Sequence, residues 1–179
     1  LGRLEGMHGT KLEVKALFVT YSVQHLEDLL AAIAEAGVET IDVMAAPMAA
    51  SHITLTERQK IVGVALVDIG AETTSLSVFE DGKLISIYTW AIGSSDITND
   101  IALGLRIPLE EAESIKLGAI TGTNYSKKKL DEIVTARLSD IFDLIEAHLK
   151  KIGRSGLLPA GIIITGGVSG ISTMEDLAK

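Results

Sequence analysis

The residues able to do chemistry fall in three places. The first is Asp68-Ile69-Gly70-Ala71-Glu72-Thr73-Thr74. It ends an apolar run, Val64 to Ile69, that reads as a strand covered on both faces. Asp68 breaks that run at its end, where a carboxylate can leave the core and face a site. A turn of small residues lets backbone N–H groups converge on an anion, and a nearby Asp can hold Mg²⁺ through water. The same pattern also suits an ordinary tight turn whose Thr caps backbone groups. The second place is Glu113 and Lys116, three apart on one helix face, which alone is a solvated ion pair worth roughly a few tenths of a kcal/mol. The third is Gly161-x-x-x-x-Gly166-Gly167-Val168, after a strand and opening a helix. Paired glycines there serve tight packing, or let backbone approach a flat base or a phosphate.

The elements that must position these groups follow from the pattern. Leu12 to Thr20 alternates and predicts a strand. Ser22 caps a helix carrying Leu26, Leu29, Leu30, Ile33 and Ala34, which Gly37 ends, and Val38 to Met44 predicts another strand. Strand-helix-strand implies a right-handed crossover and parallel pairing if both strands share a sheet. Ala45 to Leu55 predicts a short helix with Pro47 in its first turn, and Thr56 to Lys60 a polar link. Ser75 to Phe79, Asp81-Gly82 and Leu84 to Trp90 predict a hairpin. Ser94 or Ser95 caps a helix with Ile97, Ile101 and Leu105 on one face, and Pro108 opens another over Leu109 to Leu117. Gly118 to Ser126 is turn-rich. Ser126 to Ile152 predicts a long amphipathic helix ended by Gly153, and Gly161 to Thr165 a buried strand before a final helix.

Composition narrows the classes. In 179 residues, 47% are apolar and only 4% aromatic, so Ala, Ile, Leu and Val build an α/β core. A net charge of −8 argues against nucleic acid as a partner. Without cysteine there is no disulfide, thiol catalysis or cysteine-ligated zinc. His8, His25, His52 and His148 lack metal-ligand spacing and read as surface or cap residues. No apolar run reaches the length of about 18 residues that suggests a transmembrane helix, and no signal peptide is expected. The sequence starts at Leu1 and stops at Lys179 within a predicted helix, and reads as a fragment.

Asp68-Ile69-Gly70-x-x-Thr73-Thr74 with its hairpin resembles the second phosphate loop of the actin-like ATPases. Ile92-Gly93-Ser94-Ser95-Asp96-Ile97-Thr98-Asn99-Asp100-Ile101, with Glu110-Glu111-Ala112-Glu113-Ser114-Ile115-Lys116, narrows the resemblance to the FtsA family of bacterial cell-division proteins. It implies an incomplete α/β, actin-like (ribonuclease H-like) ATPase fold with the tail of an FtsA-type inserted subdomain. Residues 1–20 would end that insertion, and 21–62 would be the remainder of the first actin-like subdomain with its hinge helix. Residues 63–106 and 153–179 would form the nucleotide-clamping subdomain, and 107–152 a shortened outer subdomain. The resemblance implies ATP and Mg²⁺ as ligands. Asp68 would hold Mg²⁺ via water, Gly70, Ala71, Glu72, Thr73 and Thr74 the phosphates, Glu113 the ribose and Lys116 the nucleoside. Gly166, Gly167 and Val168 would line the adenosine.

The resemblance further implies self-association into filaments and capture of the C-terminal tail of the tubulin-like FtsZ, in the neighbourhood of Lys127-Lys128-Lys129. The place would be the cytoplasmic face of the inner membrane at the division site. The family's membrane anchor, a C-terminal amphipathic helix, and its first phosphate loop lie outside these residues. Departures from the family pattern also matter. Glu72 stands where glycine is usual, so it points outward, is bridged by a metal, or weakens binding. Ala46 stands where a Glu usually precedes Pro47, and a methyl group cannot position water, so at most weak ATPase activity is expected. Val168 stands where the family often has another glycine, and Thr121 to Tyr125 is shorter than its usual pair of strands. Alternatives are a PilM-like pilus-assembly scaffold, a kinase-like enzyme, and a degenerate actin-like module without ATP.

Overall fold

The computed structural model describes residues 6, 8–14, 16–118, 125–170 and 174. The chain forms two units, Leu1–Glu39 and Thr40–Lys179. In the first unit, helix α1 spans Val23–Glu35. Gly37 takes a φ of 77° and donates to Ala34 O, while Val38 donates to Ile33 O. This paired closure satisfies the last carbonyls of the helix and needs a left-handed residue at Gly37.

The two strands expected around α1 do not form. The described residues of 12–20 and 38–44 carry no regular structure, so the expected crossover is not made. Alternation supplies two faces but not a ladder partner, and a strand's amides need one. Phe18 and Ile41 are 84% and 97% exposed.

The second unit is a three-layer arrangement. Its sheet, ordered β3-β2-β1-β4, comprises β1 (Val64–Ile69), β2 (Thr74–Glu80), β3 (Lys83–Trp90) and β4 (Ile162–Thr165). The first three form an antiparallel meander, and β4 lies parallel to β1 with Asp68 paired to Thr165. Alternate residues of β1 face opposite sides, as a strand's period of two requires. Ala65, Val67 and Ile69 face a core built with Ile97, Ile101, Leu138, Ile141 and Ile145. These come from α4 (Ser94–Leu105) and α6 (Lys127–Lys151), with Ala112 from α5 (Leu109–Lys116). Val64 and Leu66 face a smaller cluster with Leu55 and Phe79, beside α2 (Ala46–Thr54) and α3 (Glu57–Val62).

Three expectations change in detail. Thr56 to Lys60 is not a link but the start of α3. Thr56 Oγ1 accepts from Gln59 N at 3.2 Å, and Gln59 Oε1 accepts from Thr56 N at 2.8 Å, a reciprocal cap. α4 is capped at Gly93, not at Ser94 or Ser95, and Asp96 Oδ2 accepts from Gly93 N at 2.9 Å. β4 is half-buried rather than buried, because it lies at the sheet edge. Residues 119–124 of the turn-rich stretch lie outside the described residues. So does the final helix, apart from Met174, which is buried in the larger core.

Asp81 and Gly82 both take positive φ, 53° and 70°, as the two-residue hairpin requires. Their amides donate to Ile61 O and Lys60 O at 3.0 and 3.1 Å, so the hairpin tip is tied to the end of α3. Asp100 accepts both Nε and Nη2 of Arg137, at 2.6 and 3.1 Å, joining α4 to α6.

Candidate functional site

The turn between β1 and β2 is built against the start of α4. Gly70 N donates to Thr73 O at 2.9 Å, which closes the turn on itself. Gly70 O accepts from Ser94 N, and Ala71 O accepts from Ser95 N, each at 2.9 Å. In a trans peptide the carbonyl and the following N–H point in opposite directions. With no cis bond present, the Ala71 and Glu72 amides are therefore aimed away from α4. Among the described residues, the amides of Ala71, Glu72 and Thr73 have no protein acceptor. Gly70's amide is spent within the turn. The leading amides of α4 are spent on the turn's carbonyls, so that helix end is not itself an anion site.

Glycine at position 93 is what permits this docking. A Cβ there would lie 2.7 Å from Ala71 C and 2.8 Å from Gly70 O. Thr74 is fully buried, and its hydroxyl donates to Ile92 O at 2.8 Å. It anchors the turn to the segment before α4. The exposed Glu72 carboxylate accepts from Ser95 Oγ at 2.7 Å, on the α4 side of the turn.

Asp68 lies at the carboxyl end of β1, half-buried, and its carboxylate has no hydrogen-bond or ion-pair partner among the described residues. Beside it, Gly166 follows β4 with a φ of 98°. A Cβ on Gly166 would collide with the Ile69 carbonyl and lie 2.8 Å from Asp68 Oδ1. The two glycine-bearing turns thus meet outside the carboxyl ends of adjacent parallel strands, the usual ligand position in α/β sheets. Gly167 has open space around its α-carbon. The Val168 side chain is buried in the larger core.

Glu113 and Lys116 form more than a surface pair. The Lys116 side chain is 7% exposed. Its Nζ lies 2.7 Å from Glu113 Oε2 and donates to Thr98 Oγ1 at 2.8 Å and Ser94 O at 3.1 Å. Thr98 Oγ1 also donates to Glu113 Oε2. The Lys116 ammonium and then the Thr98 hydroxyl hold the Glu113 carboxyl below its ordinary value. Ser95, Thr98, Asn99, Leu109, Glu110 and Glu113 line an open cleft of about 470 Å³ between α4 and α5. Ser95 lines this cleft and also bonds to the turn, so α4 connects them.

A family described as "Cell division protein FtsA" matches residues 65–179. The chain belongs to the FtsA family. It is 33% identical over 195 residues to the cell division protein FtsA of Pseudomonas aeruginosa, covering 97% of this chain and 47% of that protein. The chain spans about half the length of the curated FtsA relatives it matches. Among solved structures, MreB 5 of Spiroplasma citri bound to AMPPNP is similar at TM-score 0.72 and 18% identity, covering 87% of this chain and 56% of that one. The PilM-PilN type IV pilus biogenesis complex is similar at TM-score 0.70 and 21% identity, covering 86% and 44%. The fold is an incomplete actin-like α/β fold.

In this FtsA-family chain Ala46 is exposed at the start of α2, beside buried Pro47. His52, His8 and His25 are exposed. His148 differs from its sequence reading. It packs against Tyr88 and Trp90 at ring distances of 5.0 and 5.8 Å, with Nε2 2.8 Å from Ser86 Oγ, and burial lowers its pKa. The start of α6 is exposed, and Lys128 lies 3.8 Å from Glu132. Among the described residues no cluster of three metal-ligating side chains occurs. No described helix is long and apolar enough to cross a membrane. Sequence reasoning missed Thr98 as the hub between Glu113 and Lys116. Its signal is a hydroxyl beside the apolar stripe of α4, one residue after Ile97.

Proposed function

We propose that this chain is the nucleotide-clamping part of an FtsA-type cell-division scaffold that binds Mg-ATP in an actin-like cleft. The observation that carries this reading is the meeting of three unsatisfied amides, of Ala71, Glu72 and Thr73, with unpartnered Asp68 and the Gly166 turn. Amides converging on one side of a tight turn suit a phosphate. A single carboxylate suits Mg²⁺, which keeps most of its waters and takes phosphate oxygens as ligands. When bound, that ion would neutralise phosphate charge. Asp68 would hold it, and Ala71 to Thr73 would orient the phosphates. Glu113 would face the ribose from the α4–α5 cleft, Lys116 would hold Glu113 in place, and Gly166 and Gly167 would admit the adenosine.

The nucleotide acts here as an assembly ligand, stabilising the state that binds it more tightly. Residues 63–106 with 153–179 form the clamping subdomain in this reading, and 107–152 the outer one. The full protein self-associates and tethers FtsZ at the cytoplasmic face of the membrane. Turnover is slow because Ala46 offers no group to order water. Calorimetric titration of the full-length protein with Mg-ATP, beside Glu72→Gly, tests the reading. Binding by both is expected. Binding by neither removes nucleotide from the function and leaves a nucleotide-free scaffold, the second reading that Ala46 and Glu72 favour. Capture of the FtsZ tail peptide, and not of a PilN N-terminal peptide, separates the division reading from the pilus one.

A further inference from the structure

We propose that Ser95 is a positioning residue that holds the Glu72 carboxylate off the anion-facing side of the turn, and so sets the preference of the site for more highly charged nucleotides. This rests on reading the turn as the phosphate site. The turn's carbonyls at Gly70 and Ala71 are bound to Ser94 N and Ser95 N, so the Ala71 and Glu72 amides face the other way. Glu72 carries a negative charge on the same few atoms of chain. Left free, its carboxylate can swing toward an anion held on those amides and repel it.

The Ser95 hydroxyl, 2.7 Å from Glu72 Oε1, keeps that charge on the α4 side. The carboxylate is exposed to solvent and lies beside the first turn of α4, whose leading amides are already bound to the turn's carbonyls. Ser95 thereby makes two contacts with different roles. Its amide fixes the turn's shape through Ala71 O, and its hydroxyl fixes where the neighbouring charge goes.

The second contact can be removed without the first, since Ser95→Ala keeps its amide. Full-length wild type, Ser95→Ala, Glu72→Gly and the double variant are titrated with Mg-ATP, Mg-ADP and adenosine. Ser95→Ala is expected to weaken Mg-ATP binding about tenfold, the loss of one hydrogen bond to a charged group. Mg-ADP falls less and adenosine stays unchanged. Ser95→Thr retains binding. In the Glu72→Gly background Ser95→Ala has no further effect. An equal loss for all three ligands, or an unchanged loss in the Glu72→Gly background, overturns the inference and makes Ser95 structural. Wild-type binding that Ser95→Ala leaves intact overturns it while the phosphate-site reading stands. No Mg-ATP binding by wild type or Glu72→Gly overturns that reading and this inference with it.

Discussion

Lys116 reaches Glu113 one turn back along α5, 2.7 Å away, and the same ammonium also caps the Ser94 carbonyl of α4. A nearly buried lysine with three acceptors is a structural bolt between two helices, and it binds Ser94, the residue whose amide holds the Gly70 carbonyl of the β1–β2 turn. Lys116→Met is expected to cost about 2–3 kcal/mol, because it leaves Ser94 O, Thr98 and Glu113 short of their donor. Urea denaturation measures the loss. Retention of full stability would mean that solvent already satisfies these groups.

The same cluster sets an acid limb. Glu113 is held below its ordinary value by Lys116 first and Thr98 second. A carboxyl whose folded pKa is depressed adds stability above its unfolded value, about 4.3, and loses it as pH falls through the folded one. Its side chain is 43% exposed, so solvent screening holds this contribution under about 1 kcal/mol. Glu113→Gln is expected to flatten the decline of stability below that range, measured as the denaturation midpoint against pH.

Arg137 and Asp100 meet in a two-point bond between α6 and α4, each about a quarter exposed. Arg137→Met is expected to cost about 1.5–3 kcal/mol, the range for hydrogen bonds to charged groups. Arg137→Lys recovers only part, since an ammonium cannot reproduce the guanidinium fork. Paired denaturation curves with Asp100→Asn separate the shared interaction from the individual losses.

Gly104 lies where α4 approaches α6, and a Cβ there would sit 2.5 Å from Ile133 Cδ1. Gly104→Ala gains about 1 kcal/mol of helix propensity but meets an overpacking cost of about 1–3 kcal/mol. Ile133→Val removes that methyl. The two substitutions together are expected to be more stable than the sum of their separate effects. Simple additivity would place the methyl elsewhere in solution.

Gly166→Ala combines a φ of 98° with a collision against the Ile69 carbonyl. It is expected to lower the melting temperature and abolish Mg-ATP binding together. Gly167→Ala, in open space, is expected to keep the fold. Thermal denaturation and nucleotide titration of both variants check this.

The elements around the site were legible because each carries its own local signal. The apolar run of β1, the Asp81-Gly82 turn and the stripe of α6 all state their period and their ends. Thr56 to Lys60 reads as a link in sequence because the six-residue helix it opens offers no apolar period. The strands predicted at 12–20 and 38–44 failed for the opposite reason: pattern was present and a pairing partner was not. The candidate site divides in the same way. Asp68, Glu113, Lys116 and Gly166 stand out by type and spacing. What Ser95 and Thr98 do depends on contacts across 23 and 15 residues, which no local pattern encodes.

The pairing of β4 with β1 also has a consequence for how the molecule comes into being. The β1–β2–β3 meander closes through short turns and can form as soon as it is synthesised. β4 must wait until α4, α5 and α6 have all been made, and its pairing carries the largest loop-closure cost in the sheet. Gly166 rides on the end of that last strand. A nascent chain therefore carries the Asp68 turn long before the Gly166 turn can meet it, and the proposed nucleotide site is assembled only with the final closure of the sheet.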